Sequence, residues 1–484
     1  MGVKPKNDKA SEAGGMIMKG KRFFYLALIT TFVRPLYSQT QAQQSLQDRV
    51  ESLERRLTQL EERLANVAVP SGQAATDRVE AIDQKLRILE RNRELEQENS
   101  KRTAVAGAGE DGFFLRSADK SFQLKAGGYV HADSRWFYDN SSHAGVDSFV
   151  LRRVRPVLQG TVFHHLDFRL MPDFAEGKFA LQDAYVDVRY FPAAVLRVGK
   201  FKGPLGLERL QSANDLLFVE RALPTNLVPN RDQGAEIWGD IANINYAVGV
   251  FNGATDGGSV DTDVNNGKDV AARVFATPFG KSPGNPLEGF GLGMAVSSGR
   301  QESAVLPTFK TSGQATFFSY NNNVLAAGRR LRYSPQAYFY FGPLGLIGEY
   351  VQSSQQVAKT ATQRPISNHA WQIAGSYFLT GEKNGYKHGS PRHKFEGTNG
   401  GSGAWELVAR FSELAVDHDA FTRGFADITK SARSAETWSV GVNWYLNRYA
   451  RMLFDYDQTH FQGGAASGNR ETEKAFLNRL QVQF

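Results

Sequence analysis

Seven arginines sit where their side chains could act together. Arg153, Arg155, Arg169, Arg189, Arg197, Arg410 and Arg479 each lie on the polar face of a short run in which apolar and polar residues alternate. Successive side chains of a strand point to opposite faces, so each run has one apolar and one polar side. A guanidinium stays charged and offers a planar fork of N–H groups to phosphate or carboxylate oxygens. Gathered on one surface, such groups can guide anions, or they can pair with carboxylates on neighbouring strands. The same faces carry Asp167, Asp183, Asp187 and Glu406, so both roles stay open. Seven cations against four acids predict a modestly positive surface.

Other chemistry finds little support. The chain has no cysteine, which excludes disulfides, thiolate metal sites and cysteine nucleophiles. His164 and His165 precede Asp167, but adjacent residues of a strand face opposite ways. His388 and His393 lie in a Gly- and Lys-rich connection. Asp261, Asp263, Asn265, Asn266, Gly267 and Asp269 loosely follow a calcium loop that lacks its closing glutamate. No Ser/His/Asp set or phosphate-cradling glycine loop occurs in a strand–turn–helix context. Neither catalysis, a cofactor nor a metal is expected. The net charge of +7 is concentrated at the start, where residues 1–42 carry seven Lys or Arg and two acids. That placement argues against a nucleic-acid partner.

The elements that must hold the arginines are strands. From Phe113 onward about sixteen alternating runs are separated by Gly, Asn, Asp and Pro. Most have the length a tilted strand needs to cross a membrane. The expected fold is an all-β, 16-stranded antiparallel transmembrane β-barrel over residues 113–484, its polar faces turned to an aqueous lumen. The connections sort by length. Phe191-Pro192, Gly342-Pro343-Leu344 and Asn447-Arg448 fall at one end; 200–231, 252–268, 299–330, 354–367, 415–434 and 460–474 fall at the other. Thr380 to Gly403 breaks the rule, which predicts a further hairpin there or a segment folded back into the pore. The closing strand Ala475–Phe484 ends on an aromatic, with Phe476, Leu480, Val482 and Phe484 on its apolar face. An apolar strand at the end of a chain is best left in lipid, within reach of barrel-assembly machinery.

The connection Phe201 to Arg231 is too apolar for a surface loop, with Leu205, Leu207, Leu216, Leu217 and Phe218. It is the expected constriction loop, folded into the lumen. Its cations Lys202, Arg209, Arg221 and Arg231, with Lys200 just before it, complete the candidate pore-lining set.

Two segments precede the barrel. Lys19 to Arg22 and the 11-residue apolar run Phe23–Val33 predict a signal peptide or leader over residues 1–42, cleaved after Ser38 or Ala42. Leu46, Val50, Leu53, Leu57, Leu60 and Leu64 are spaced as a heptad seam, broken at Pro70-Ser71-Gly72 and resumed by Val79, Ile82, Leu86 and Leu89. Residues 45–102 are therefore expected to form an α-helical coiled coil in the periplasm that joins copies of the chain, or a helical hairpin folded on itself. Residues 103–112 read as a linker.

The chain resembles the phosphate-selective porin O and P family. The residues that carry the likeness are LRRVRPVLQGTVFHHLDFRLMPDF (151–174), LQDAYVDVRY (181–190), VGKFKGPLGLERLQSANDLLFVERALP (198–224), YFLTGEKNGYK (377–387) and AWELVARFS (404–412). The resemblance implies a sixteen-stranded, homotrimeric outer-membrane channel surrounded by outer-membrane lipid and lipopolysaccharide, in a Gram-negative-type bacterium. It implies phosphate-like small anions as the solutes. Arg152 and Arg153 match a lumenal arginine pair of that family. Where a constriction lysine would align, after Gly206 to Ala213, this chain holds Asn214 followed by Asp215. A non-selective or sugar-preferring porin, or a barrel that anchors an envelope tether through its coil, are the alternative readings.

Overall fold

A computed structural model describes residues 73–484 except 110–111, 140, 142–144, 264, 388 and 398–399, together with Arg55, Arg56, Thr58, Gln59 and Glu62. The leader, the first heptad seam, the Pro70-Ser71-Gly72 break and His388 lie outside the described residues.

The sixteen expected strands are present. They are β1 Gln123–Tyr138, β2 Ser148–Val162, β3 Leu166–Asp173, β4 Ala180–Phe191, β5 Ala194–Phe201, β6 Asp232–Ile241, β7 Ile244–Phe251 and β8 Asp269–Ala276. The second half comprises β9 Gly289–Val305, β10 Leu325–Phe341, β11 Leu344–Lys359, β12 Thr362–Phe378, β13 Ala404–Ala415, β14 Ala432–Tyr445, β15 Ala450–Ala465 and β16 Glu473–Gln483. Each pairs antiparallel with the next, and β16 pairs with β1 through Arg479↔Asp133 and Leu480↔Ala132. The barrel is therefore closed.

Its faces are inverted relative to a soluble sandwich. Val186, Val198, Ile237, Val248, Val274, Ile373, Leu407, Val440 and Leu480 all stand exposed on the outside. Their neighbours in sequence, such as Asp187, Glu406 and Arg479, are buried inside. In water such an outside would associate; in hydrocarbon it is the stable arrangement.

Several later strands run beyond the expected limits. The connection expected over 354–367 is only the turn between Lys359 and Thr362, because β11 and β12 continue outward. Gln352, Ser354, Gln355 and Gln356 carry little apolar alternation, so the periodic signal fades there although pairing continues. The expected linker also differs. Val105–Gly109 and Gly112–Arg116 form a hairpin whose second strand pairs with the start of β1. Small residues make this possible, since a Cβ on Gly107 would sit 2.8 Å from the Phe114 ring.

The helix α1, Gln73–Arg102, is rich in strong helix formers and carries an Asp83–Arg87 pair at 2.9 Å one turn apart. Val79, Ile82, Leu86 and Leu89 are all more than half exposed.

Candidate functional site

The lumen is shaped by the connection between β5 and β6. Its apolar side chains Leu207, Leu216, Phe218, Val219 and Leu227 are fully buried, so it folds inward as its composition predicts. Polar latches fix it to the wall. The Glu349 carboxylate on β11 accepts from the backbone N–H of Leu207 (2.6 Å) and Glu208 (3.3 Å). Arg451 donates to the Leu216 carbonyl at 3.0 Å, and Asn443 to the Leu217 carbonyl at 2.9 Å. Arg410 donates to the Glu220 carbonyl at 2.9 Å, its guanidinium 4.2 Å from the Phe218 ring centre. Each charge-assisted bond of this kind contributes about 1.5–3 kcal/mol.

The anomalous connection between β12 and β13 folds back into the pore. Gln211 on the constriction loop donates to the Tyr386 carbonyl at 3.0 Å, and the Tyr386 hydroxyl donates to the Leu207 carbonyl. Asn384 is buried against Ser376 at 2.7 Å. Of the two possibilities the sequence left, no hairpin is found among the described residues.

Every strand arginine of the candidate set has a carboxylate partner. Arg155 meets Asp173 at 2.7 Å, Arg169 meets Asp183 at 3.3 Å and Arg189 meets Asp167 at 2.8 Å. Arg197 lies 2.7 Å from Asp187 and 3.6 Å from Glu236. Arg410 lies 3.7 Å from Glu208 and 4.0 Å from Asp457. Arg479 meets Asp133 through two bonds of 2.7 Å across the closing seam. Arg153 lies 3.6 Å from Glu220 and donates to His131, whose other ring nitrogen faces Asn214 at 2.9 Å. Arg152 reaches the same Glu220 at 2.6 Å. A bulge makes this possible: His131 pairs with Arg153 and Ala132 with Leu151, leaving Arg152 over and turning both arginines inward. Burial alone would raise the Glu220 carboxyl, but Arg152, Arg153 and Arg479 hold it well below the usual carboxylate range.

The loop cations behave differently. Lys200 pairs with Asp261 and Arg231 with Asp183. Lys202 donates to the carbonyls of Gln211 (2.6 Å) and Leu210 (3.4 Å). Arg221 donates to the carbonyls of Gln211 (2.9 Å) and Glu208 (3.2 Å). Arg209 donates to the Asn230 amide oxygen at 3.1 Å and to the Thr225 carbonyl. Among the described residues none of these three forms an ion pair. Carbonyl acceptors hold a cation in place without cancelling its charge.

A cavity of about 660 Å³ lies where wall and loop meet. It is lined by Arg152, Arg153, Arg155, Lys178, Arg209, Arg221, Arg231 and Lys310 against Asp173, Glu176, Glu220 and Asp256. Eight cations face four acids in this lining, with wall and loop contributing three arginines each. Asn214, which aligned with a constriction lysine, donates to Gln483 at 2.9 Å and lies among the lining of two smaller cavities with Arg448 and Tyr449.

Further charges line the lumen that were not singled out in advance. Arg330 and Arg332 share Asp269, at 2.7 and 2.9 Å, and Arg332 also meets Asp256 at 2.6 Å. Arg135 and Arg451, and the acids Asp133, Asp455 and Asp457, are inward too. Alternation along β1, β10 and β15 places all of them on the polar face, so the signal was available. In the segment that loosely follows a calcium loop, Asp261 pairs with Lys200 and Asp263 with Lys268, the latter at 2.6 Å.

A closed barrel with an apolar outside and a charged, loop-narrowed inside is a transmembrane pore of the outer-membrane type. The chain belongs to the phosphate-selective porin O and P family, which it matches over residues 124–484. It is 25% identical over 408 residues to Porin O of Pseudomonas aeruginosa, spanning 77% of this chain and 91% of that one. Among solved structures it is similar to an anion-selective porin from Comamonas acidovorans, with TM-score 0.48, 10% identity and coverage of 75% of this chain and 100% of the other. The outer membrane channel DcaP of Acinetobacter baumannii gives TM-score 0.48, 9% identity, and coverage of 76% and 99%.

Proposed function

We propose that this outer-membrane porin passes small anions of the phosphate class by diffusion, and that the constriction loop selects for them. The observation that carries the reading is the bonding of Lys202, Arg209 and Arg221 on the inward-folded loop, which donate to neutral oxygens and form no ion pair among the described residues. Cations placed in this way lower the barrier for an anion and raise it for a cation. The strand arginines, paired with carboxylates, stiffen the wall around the loop. Asn214 adds no charge, so the preference is for anions over cations rather than a tight hold on phosphate. A planar-bilayer reversal potential under a salt gradient tests this. Anion preference in the wild type that falls in Lys202→Ala/Arg221→Ala supports it, and equal permeability of both ions defeats it.

The chain acts as a homotrimer in this reading. The exposed Val79, Ile82, Leu86 and Leu89 seam of α1 needs partner helices, and residues 45–102 supply a periplasmic coiled coil. The end of the barrel with the short turns then faces the periplasm. There Phe484 is half exposed beside Gly128, available to barrel-assembly machinery, while the apolar outside meets lipid and lipopolysaccharide.

A further inference from the structure

Four guanidiniums converge on one carboxylate. Arg152 Nε lies 2.6 Å from Glu220 Oε1, Arg153 Nη2 lies 3.6 Å from Oε2, Arg479 Nη2 lies 3.7 Å from Oε1, and Arg135 Nη2 lies 3.8 Å from Oε1. The arginines come from three wall strands, β1, β2 and β16, whereas Glu220 comes from the constriction loop. The nest is built independently of its occupant.

It also offers more than its occupant uses. Arg135 Nε and Nη2 and Arg479 Nη1 are buried with no acceptor among the described residues. A carboxylate has two oxygens, while a tetrahedral oxyanion has four and can satisfy more of such a fork set. Asp133 neutralises Arg479, and Glu176 lies 3.2 Å from Arg152. Those two acids and Glu220 together leave one positive charge in excess. Glu220, Arg152 and Arg153 also border the 660 Å³ cavity, so that side of the nest opens to solute, while Arg135 and Arg479 are not part of the lining.

We infer that this cluster is an oxyanion site that the chain fills with its own carboxylate, and that Glu220 thereby sets how strongly the pore holds a passing anion. With Glu220 in place, a phosphate crossing the cavity meets a nest already satisfied and moves on. Without that charge, Arg152 and Arg153 would retain it, within the positive field of Arg135 and Arg479. The inference rests on ion conduction through this lumen, and its test is separable from that of anion preference.

The test uses the full-length protein in planar bilayers, wild type beside Glu220→Gln. The substitution removes the charge but keeps the shape, and the Arg410 bond to the Glu220 carbonyl is untouched. Folding is read from the heat-dependent gel mobility of the barrel. The variant should shift its reversal potential toward chloride, and inorganic phosphate should inhibit its chloride current at a concentration about tenfold lower than in wild type. Glu220→Asp, which keeps the charge but draws it back from Arg152, should shift the same way by a smaller factor; it stands in if the glutamine variant does not fold. Adding Arg153→Gln to Glu220→Gln should restore the wild-type phosphate sensitivity. A wild type without anion preference would count against the proposed selectivity alone. Identical phosphate inhibition in wild type, Glu220→Gln and Glu220→Asp would overturn the inference.

Discussion

A cation bonded to a carbonyl keeps its net charge, and one bonded to a carboxylate shares it with the pair. By that criterion Arg155 and Arg189 matter less for selectivity than their position on the lumen face implies. Arg189→Ala, at a half-exposed pair with Asp167, should change stability by less than about 1 kcal/mol and leave the reversal potential unchanged. Lys202 is the opposite case. Burial and the charges of Arg221 and Arg231 push its ammonium well below the usual lysine value. A lysine with a lowered value is charged at lower pH and neutral above it. Anion preference should therefore fall as pH rises, and begin to fall below the ordinary lysine range; reversal potentials across a pH series check it. Glu220 has a depressed value, so its clamp is fully present above the ordinary carboxylate value and is lost only far below it. Mild acid should leave the clamp intact. The alternation of residue types revealed Arg153, Arg155, Arg410 and Arg479 as inward. It could not reveal the inward turn of Arg152, because a bulge breaks the period of two on which the reading depends.

At the scale of elements, the constriction loop was recognisable because a solvated loop has no reason to carry Leu207, Leu216 and Phe218. Its latches were not, since they join residues far apart in the chain, such as Glu349 to Leu207. Glu349→Ala should leave the Leu207 and Glu208 N–H groups without their acceptor, at a cost of about 1–3 kcal/mol for each group. Single-channel recordings should then show noisier and larger conductance than wild type, with the barrel still folded by gel mobility. The hairpin Thr308–Lys310 with Thr316–Ser319 was hidden for a different reason. It pairs only with itself, and its strands are too short, three and four residues, for alternation to mark them. The strand count was legible throughout, while strand ends were lost wherever polar residues occupied both faces.

For the whole molecule, closure depends on β16 meeting β1, where Arg479 and Asp133 are both fully buried. Removing the arginine alone leaves a buried, uncompensated carboxylate at the seam. Arg479→Ala should destabilise the barrel by about 3–5 kcal/mol, seen as a lower midpoint of heat-dependent gel mobility. Deleting residues 45–102 should weaken association between copies and leave the conductance of each pore unchanged, measured by native mass and single-channel recording. The central claim is that the loop cations set selectivity, and one measurement addresses it most directly. Under a potassium chloride gradient the wild-type pore should show a reversal potential on the chloride side, moving toward zero in Lys202→Ala/Arg221→Ala. A wild-type potential on the potassium side, or one that the double substitution leaves unmoved, would contradict it.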